Sequence, residues 1–550
     1  MKKSNRVLAI GIDSPTNDLL EAWIDAGQLP HLKSLKANSQ LGYVEHKKLH
    51  SNQNSWLPML TGLSIESLVY WLSNYNPDNY TNFNNCLYNL HTYEPFYALE
   101  DLQVTMFDLP VALSDRVNGT QVVGWASELN ETYGASLPAD LLSQIEATYG
   151  TDPKQEGALT FVNQREGREG KSYRVPSAYN LKDLDVFKKK MIQSARTRGD
   201  ICQDLIHNTN WDLFITSFSE IHVAGHTLWH LSQKHPLMNL AREQNSDPLL
   251  EVYQCVDEQI GKLLSTVDED ISVMIFSVDN LVCDGLENPR SVFLPEILYR
   301  WNFPEKAALA LGEMGVPPEA PNLEFYEHWK HEVWKLRTAW GDQELESPEQ
   351  QENSGDTFSW QPTNWYKPVW PKMKAFALPS VADGCIRLNV KGREENGLID
   401  PSDYDAVCDE ITAMLLQVID AREGSPIVEK VIRVRASPLE TDDTQSPADL
   451  IVLFSEAYPS DSIDSPDVGR IGPIPFFRPG GHQKQGSTIR NPFILRPPSY
   501  KNFSLKKNGR LEDIPATVLA LLGKPVSSHL DGRSLIEWET PNSVPTASAD

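Results

Sequence analysis

The sequence predicts an α/β fold: a doubly wound, mostly parallel central sheet with helices on both faces, plus a Trp-rich insertion. Three observations predict it. Short apolar runs recur along the chain and alternate with longer stretches of helical periodicity. The first run, Val7 to Ile12, is apolar without a break and ends at Asp13, the pattern of a central strand buried on both faces. From Trp301 to Trp370 the alternation stops, and seven of the fourteen tryptophans gather there.

Taken in order, Ser14-Pro15 supplies an N-cap and a first-turn proline and starts a helix after Asp13. Further strands are predicted at Val104–Phe107, Gln121–Trp125, Leu213–Phe218 and Ser272–Ser277. Helices alternate with them over Ala139–Thr148, Leu181–His207, Leu249–Ser265 and Arg290–Trp301. The insertion holds a helix-like stretch, Phe325–Arg337, and a polar run from Asp342 to Gly355. A cap over the sheet and an irregular segment anchored by tryptophans both fit it. After Lys372 the α/β signals return at Ile386–Val390, Tyr404–Asp420, Asp449–Phe454 and Asp513–Leu522. The expected division is 1–300 and 372–538 as two parts of one α/β domain, 301–371 as the insertion and 539–550 as a disordered tail.

A chain of 550 residues can bury a large core. Its net charge of −26 repels nucleic acid and anionic membrane surfaces, so neither is an expected partner. A small anionic substrate needs local positive charge or a metal to overcome that field. Met1 to Arg6 is basic, but Asp13 interrupts the short apolar run that follows, so neither a signal peptide nor a membrane span is expected. Six scattered cysteines without a C-x-x-C pair read as reduced core thiols of a cytoplasmic protein. Oligomeric state is left open, a homodimer included.

The chemistry concentrates at Glu220-Ile-His-Val-Ala-Gly-His-Thr-Leu-Trp-His230, directly after a predicted strand. His222 and His226 are four apart, so one helical turn aims both imidazoles at one point. Metal binding and simple hydrogen bonding at the strand end are both open from this segment alone. Asp13, the Glu220/His222/His226 cluster, Asp279 and His482 lie far apart in sequence. Three of these regions follow strand-like runs, and a parallel sheet collects such positions at its carboxyl edge. Histidines with a carboxylate suit a zinc-type ion.

Several segments resemble the alkaline phosphatase superfamily, in its type I phosphodiesterase/nucleotide pyrophosphatase branch. They are Val7-Leu-Ala-Ile-Gly-Ile-Asp13, Gly27-Gln-Leu-Pro-His-Leu-Lys33, Ser55-Trp56 with Thr61-Gly62, Ala382–Asn389 with Gly392-Arg393-Glu394 and Gly397, Asp513–Gly523 and Leu530–Ser534. The resemblance implies phosphoryl transfer with two metal ions and a Ser or Thr nucleophile. On it, Asp13 stands at the first metal Asp, His226 at the His of an Asp-x-x-x-His pair, and His482 at the late His. The Asp of that pair is His222 here, and the usual Asp-His pair falls on Val278-Asp279. The nucleophile position is Asn52, an amide, with Ser51 beside it.

One site therefore keeps His222, His226 and His482, able to hold a single zinc with an open fourth position. The other keeps only Asp13 and Asp279, and Asp279 or Glu220 could join the first. The expectation is a metal-dependent hydrolase, with one or two zinc ions, acting on a phosphodiester, phosphonate or related ester. A one-metal route that activates water makes Glu220 or Asp13 the candidate general base. A group transferase and a decayed site serving as a binding module are the alternatives. Among secondary candidates, His46, Lys47, Lys48 and His50 contact an anion or form a solvated loop. Asn52 and Asn54 can orient a substrate oxygen, and Arg478 and Lys484 neutralise a phosphate or stand exposed.

Overall fold

A computed structural model describes residues 5–539 apart from 48–54, 69–72, 85–92, 112, 127–133, 157–158, 164–167, 173–174, 239–245, 320–327, 357, 382, 442–445, 457, 485–486 and 500–501. All seven residues of Val7–Asp13 (β1) are buried, and the strand runs through the middle of a nine-stranded sheet. The other strands are Gln40–Lys47 (β2), Val104–Phe107 (β3), Gly119–Val123 (β4), Ala135–Leu137 (β5), Leu213–Phe218 (β6), Ser272–Val278 (β7), Thr488–Arg496 (β8) and Asn508–Arg510 (β9). Their order is β9-β2-β8-β7-β1-β6-β3-β4-β5. β1 pairs in parallel with β6 and β7, which puts Ile12 beside Phe218 and Ser277 and Asp13 beside Val278. β8 runs antiparallel to both β7 and β2.

Side chains alternate across a strand, so β1 feeds two cores. Leu8, Ile10 and Ile12 enter one, and Val7 and Ala9 enter the other. The first core is closed by Asn17–Ala26 (α1), Pro30–Ala37 (α2), Leu181–Asn208 (α4), Glu220–Ser232 (α5) and Pro248–Ser265 (α6). The second is closed by Trp56–Thr61 (α3) and Asp513–Leu521 (α7). Helices thus cover both faces, and the carboxyl ends of β1, β6 and β7 meet at one edge.

Four local expectations change. The first helix starts at Asn17, because Ser14 takes a left-handed φ of 42° and gives its hydroxyl to Asp13. The stretch predicted over Arg290–Trp301 opens with a π-helical turn, Pro289–Phe293, before the α-helix Leu294–Asn302. The helix predicted to Asp420 stops at Leu415, and Ile419–Asp420 is a strand. Within Phe325–Arg337 the described helix is Trp329–Trp334.

The largest difference concerns the chain after the insertion. It does not rejoin the central sheet at 372 but only at Thr488. Ala375–Leu378, Gly384–Leu388, Leu450–Phe454 and Val428–Arg433 form a separate antiparallel sheet in that order. The two middle strands are almost wholly buried, and a continuous apolar run reads alike in a parallel or an antiparallel sheet. Residues 540–550, expected to be disordered, lie outside the described residues. No helix among the described residues is long and apolar enough to cross a membrane.

Candidate metal centre

α5 starts directly after β6, so the sheet edge fixes where its first turns point. Helical spacing puts His222 and His226 on one face of α5. His482 arrives from a short antiparallel ribbon, Leu281–Cys283 against Gly480–His482, in which Leu281 faces His482. The Nε2 of His222 lies 2.9 Å from that of His226 and 3.0 Å from that of His482. Among the described residues these three form the one group whose ligand atoms all meet within 4.8 Å.

The outer nitrogens decide what the inner ones carry. His226 Nδ1 is 2.7 Å from the carbonyl oxygen of Gly480, which can only accept, so Nδ1 holds the proton. His222 Nδ1 is 3.2 Å from Asp13 Oδ2, within hydrogen-bond reach of it. The Nε2 atoms of His222 and His226 thus face each other at 2.9 Å, with His482 Nε2 3.0 Å from the first, a convergence of imidazoles that suits a cation. Burial first, then the positive charge of Arg478, then His222 and His482 hold His226 well below the ordinary imidazole pKa. The neutral ring is the form that binds metal. The donor set therefore fits a zinc-type ion held by His222, His226 and His482.

The two carboxylates stand beside this group. Asp13 Oδ1 accepts from Trp56 Nε1 at 3.1 Å and from Ser14 Oγ at 3.2 Å, while Oδ2 faces His222. Burial pushes the Asp13 carboxyl up to about 7, against the pull of Trp56, His482 and Ser14. Asp279, directly after β7, has a left-handed φ of 70°. Its Oδ1 accepts the Asn280 amide at 2.7 Å, and Oδ2 accepts from Ser55 Oγ at 3.1 Å. His482 Nδ1 is 3.4 Å from the same Oδ2.

Ser55 occupies the N-cap position of α3 but does not cap it. Its Oγ lies 2.9 Å from His46 Nε2, and His46 Nδ1 lies 3.2 Å from Asn491 Nδ2. Asn491 Oδ1 accepts from Asn17 Nδ2 at 3.3 Å, which fixes the amide so that its Nδ2 donates to His46. The donors then run in one direction, Asn17 to Asn491 to His46 to Ser55, and end on Asp279.

Glu220 does not reach the centre, which corrects its assignment as a general base. Two helical positions separate it from His222, a turn of about 200° that points it to the opposite face. There it is fully buried; Oε1 accepts from Ser194 Oγ at 2.8 Å and from Arg198 Nε at 3.0 Å. Arg198 Nη2 also binds Asp108 at 2.8 Å, so Glu220 ties α5 to α4. His46 is likewise buried and hydrogen-bonded, so it is no part of a solvated loop. Lys484 pairs with Glu429 at 2.6 Å. Ser51 and Asn52, the nucleophile candidates, lie outside the described residues with Lys48, His50 and Asn54.

Ser55, Trp56 and Asn491 join the site without having been assigned a part in its chemistry, and His46, a secondary candidate for an anion contact, joins it as a partner of Ser55. Only Ser55-Trp56 carried a signal, as part of a motif; nothing in residue type marks Asn491.

No protein-family model matches the sequence, and the curated proteins contain no match to it. Solved structures do match in overall architecture. The phosphonoacetate hydrolase of Sinorhizobium meliloti 1021, bound to phosphonoformate, is similar with a TM-score of 0.45 and 11% identity over 94% of this chain and 96% of that one. The chain is also similar to murine ectonucleotide pyrophosphatase/phosphodiesterase 5, in an inactive form with AMP, with a TM-score of 0.43 and 10% identity over 95% of this chain and 96% of that one.

Proposed function

We propose that this chain is a metal-dependent hydrolase acting on a small anionic ester, a phosphodiester, phosphonate or related compound, at the tri-histidine centre. The observation that carries the reading is the convergence of three imidazoles, His222 Nε2 lying 2.9 Å from His226 Nε2 and 3.0 Å from His482 Nε2. Residue by residue, the motifs that resemble phosphoryl-transfer enzymes support the same class of substrate. A zinc-type ion held by the three imidazoles supplies Lewis-acid charge at the reacting centre and acidifies water.

The protein's own groups do the rest. Asp13 orients the His222 ring, and the Gly480 carbonyl fixes the tautomer of His226. Asp279 Oδ2 receives the Ser55 hydroxyl proton as a hydrogen bond and is the end of the donor chain, so it takes the place of Glu220 as candidate base. Asp13, poised near neutrality by burial, is the second group able to hold and release a proton there. We place the protein in the cytoplasm, in keeping with five described cysteines that are all free.

Elemental analysis of the purified chain is expected to give about one zinc per chain, lost in both His222→Ala and His482→Ala. Retention of wild-type zinc by both variants would remove the tri-histidine centre. A screen of aryl phosphodiesters, monoesters and sulfates with water as the only acceptor then tests the hydrolase. Turnover only with an added alcohol would mark a transferase, and zinc without any turnover a binding module.

A further inference from the structure

We propose that Asp13 and Asp279 serve the tri-histidine centre as orienting carboxylates of a single cation, and that Trp56 and Ser55 hold them in that part and keep a second cation out. The inference rests on the tri-histidine reading above and extends it to the carboxylate pair, which the family resemblance would give to a second ion. The two residues end neighbouring strands: Asp13 closes β1 and pairs with Val278, and Asp279 directly follows β7. They stand side by side at the sheet edge, where a carboxylate can reach either an ion or the back of an imidazole.

Each ligand imidazole has an acceptor behind it. The Gly480 carbonyl oxygen lies 2.7 Å from His226 Nδ1, Asp13 Oδ2 lies 3.2 Å from His222 Nδ1, and Asp279 Oδ2 lies 3.4 Å from His482 Nδ1, the last an ion-pair distance. An imidazole that gives its Nε2 lone pair to a cation carries its proton on Nδ1. Three acceptors behind three rings therefore match one cation in front of them. Among the described residues the converging metal-type ligand atoms belong to His222, His226 and His482, and neither carboxylate joins such a group.

Protein donors take the other sides of both carboxylates. Asp13 Oδ1 accepts from the Trp56 indole at 3.1 Å and from Ser14 Oγ at 3.2 Å. Asp279 Oδ1 accepts the Asn280 amide at 2.7 Å, and Oδ2 accepts the Ser55 hydroxyl at 3.1 Å. Every oxygen of the pair thus already faces a donor or an imidazole, and a second ion would have to displace one of them. Trp56 cannot simply turn away: its ring is buried, edge-on to Phe276 at 6.3 Å, in the core that α3 closes. Taking Asp13 from it would strand a buried N–H without an acceptor, which costs the full desolvation of that group. The Ser14 hydroxyl is set by the left-handed φ of 42°, and the Ser14 amide donates to the Val278 carbonyl at 2.8 Å, tying this turn to β7. By holding Oδ1, Trp56 leaves Oδ2 to His222, which makes Trp56 a positioning residue.

Calorimetric titration of the full, metal-stripped chain with zinc tests the proposal. The wild type is expected to bind about one zinc per chain, and excess zinc or manganese added to the loaded chain should find no second place at the carboxylates. Asp13→Asn should keep that stoichiometry but bind zinc about ten- to a hundredfold more weakly, the usual cost of losing an orienting carboxylate. Trp56→Phe keeps the buried ring and removes the N–H, and should weaken zinc about three- to tenfold. Added to Asp13→Asn it should cost nothing further, since it acts through that carboxylate. Additive losses would make Trp56 a purely structural residue and overturn the proposal, as would unchanged zinc affinity in Asp13→Asn. Where Trp56→Phe fails to fold, Ser14→Gly carries the same cycle, because glycine keeps the left-handed turn and only the hydroxyl on Oδ1 is lost. A second equivalent bound by the wild type and lost in both Asp13→Asn and Asp279→Asn would overturn the proposal and leave the tri-histidine site standing. Zinc kept by both His222→Ala and His482→Ala would instead remove that site, and this inference with it.

Discussion

Ser55 directs its hydroxyl to a carboxylate instead of to the first turn of its own helix, and that choice has a measurable consequence. If Asp279 is the base that Ser55 and His46 orient, Ser55→Ala should lower kcat on the best aryl ester about a hundredfold. Zinc content should stay at the wild-type level, and stability should fall by only about 1 kcal/mol, the worth of one buried hydrogen bond. A fall in zinc content parallel to activity would instead make Ser55 part of the scaffold. At this scale the convergence of the three histidines beside Asp279 was legible, because imidazole and carboxylate suggest metal chemistry by type and each follows a recognisable strand or motif. Asn491 was not, nor was the link of His46 to Ser55, since these meet through the pairing of β2 with β8, a long-range register that no local pattern encodes. Glu220 was misread for a simpler reason. Its closeness in sequence to His222 hides that helical geometry sends it to Arg198.

α5 and the His482 ribbon approach so closely that Gly480 has no room for a side chain. A Cβ on Gly225 would lie 2.4 Å from Leu281 Cδ1, and one on Gly480 would lie 2.3 Å from the Gly225 carbonyl oxygen and 2.9 Å from Trp229 Cβ. That contact is backbone against side-chain root, so no flexible tip can give way. Gly480→Ala is therefore expected to push the ribbon off α5, carrying His482 away from His222 and His226. The expected outcome is loss of stoichiometric zinc together with about 1–3 kcal/mol of stability, read by elemental analysis and urea unfolding. Wild-type zinc content in this variant would mean that the ribbon adjusts without moving its histidine. Most elements around this contact were legible as apolar runs and helical periods, from β1 through α6. What escaped was strand direction: the buried runs at 384–388 and 450–454 look like central strands but build a sheet of their own. Burial dictates their composition, and partners far along the chain dictate their pairing.

Across the whole molecule, a small third core of Ala178, Tyr179, Met238 and Phe476 ties together segments flanking α4, α5 and the Arg478 loop. Tyr179 Oη accepts the Phe476 amide at 3.0 Å, and the His235 ring lies edge-on to Phe476 at 4.9 Å. Burial alone lowers the His235 pKa to about 4 from an ordinary 6.5. The unfolded chain therefore takes a proton at His235 before the folded one does. This stability is fully present above about pH 6.5, declines as pH falls, and is gone near pH 4, with a total of about 3 kcal/mol at 1.36 kcal/mol per unit. Between pH 7 and pH 5 the metal-stripped protein should thus lose about 2 kcal/mol through this residue. Urea unfolding at the two pH values, on wild type and on His235→Gln, isolates it, because the carboxylates and the three ligand histidines titrate in both. The wild type is expected to show the steeper loss by about that amount, and equal losses would place the acid sensitivity elsewhere.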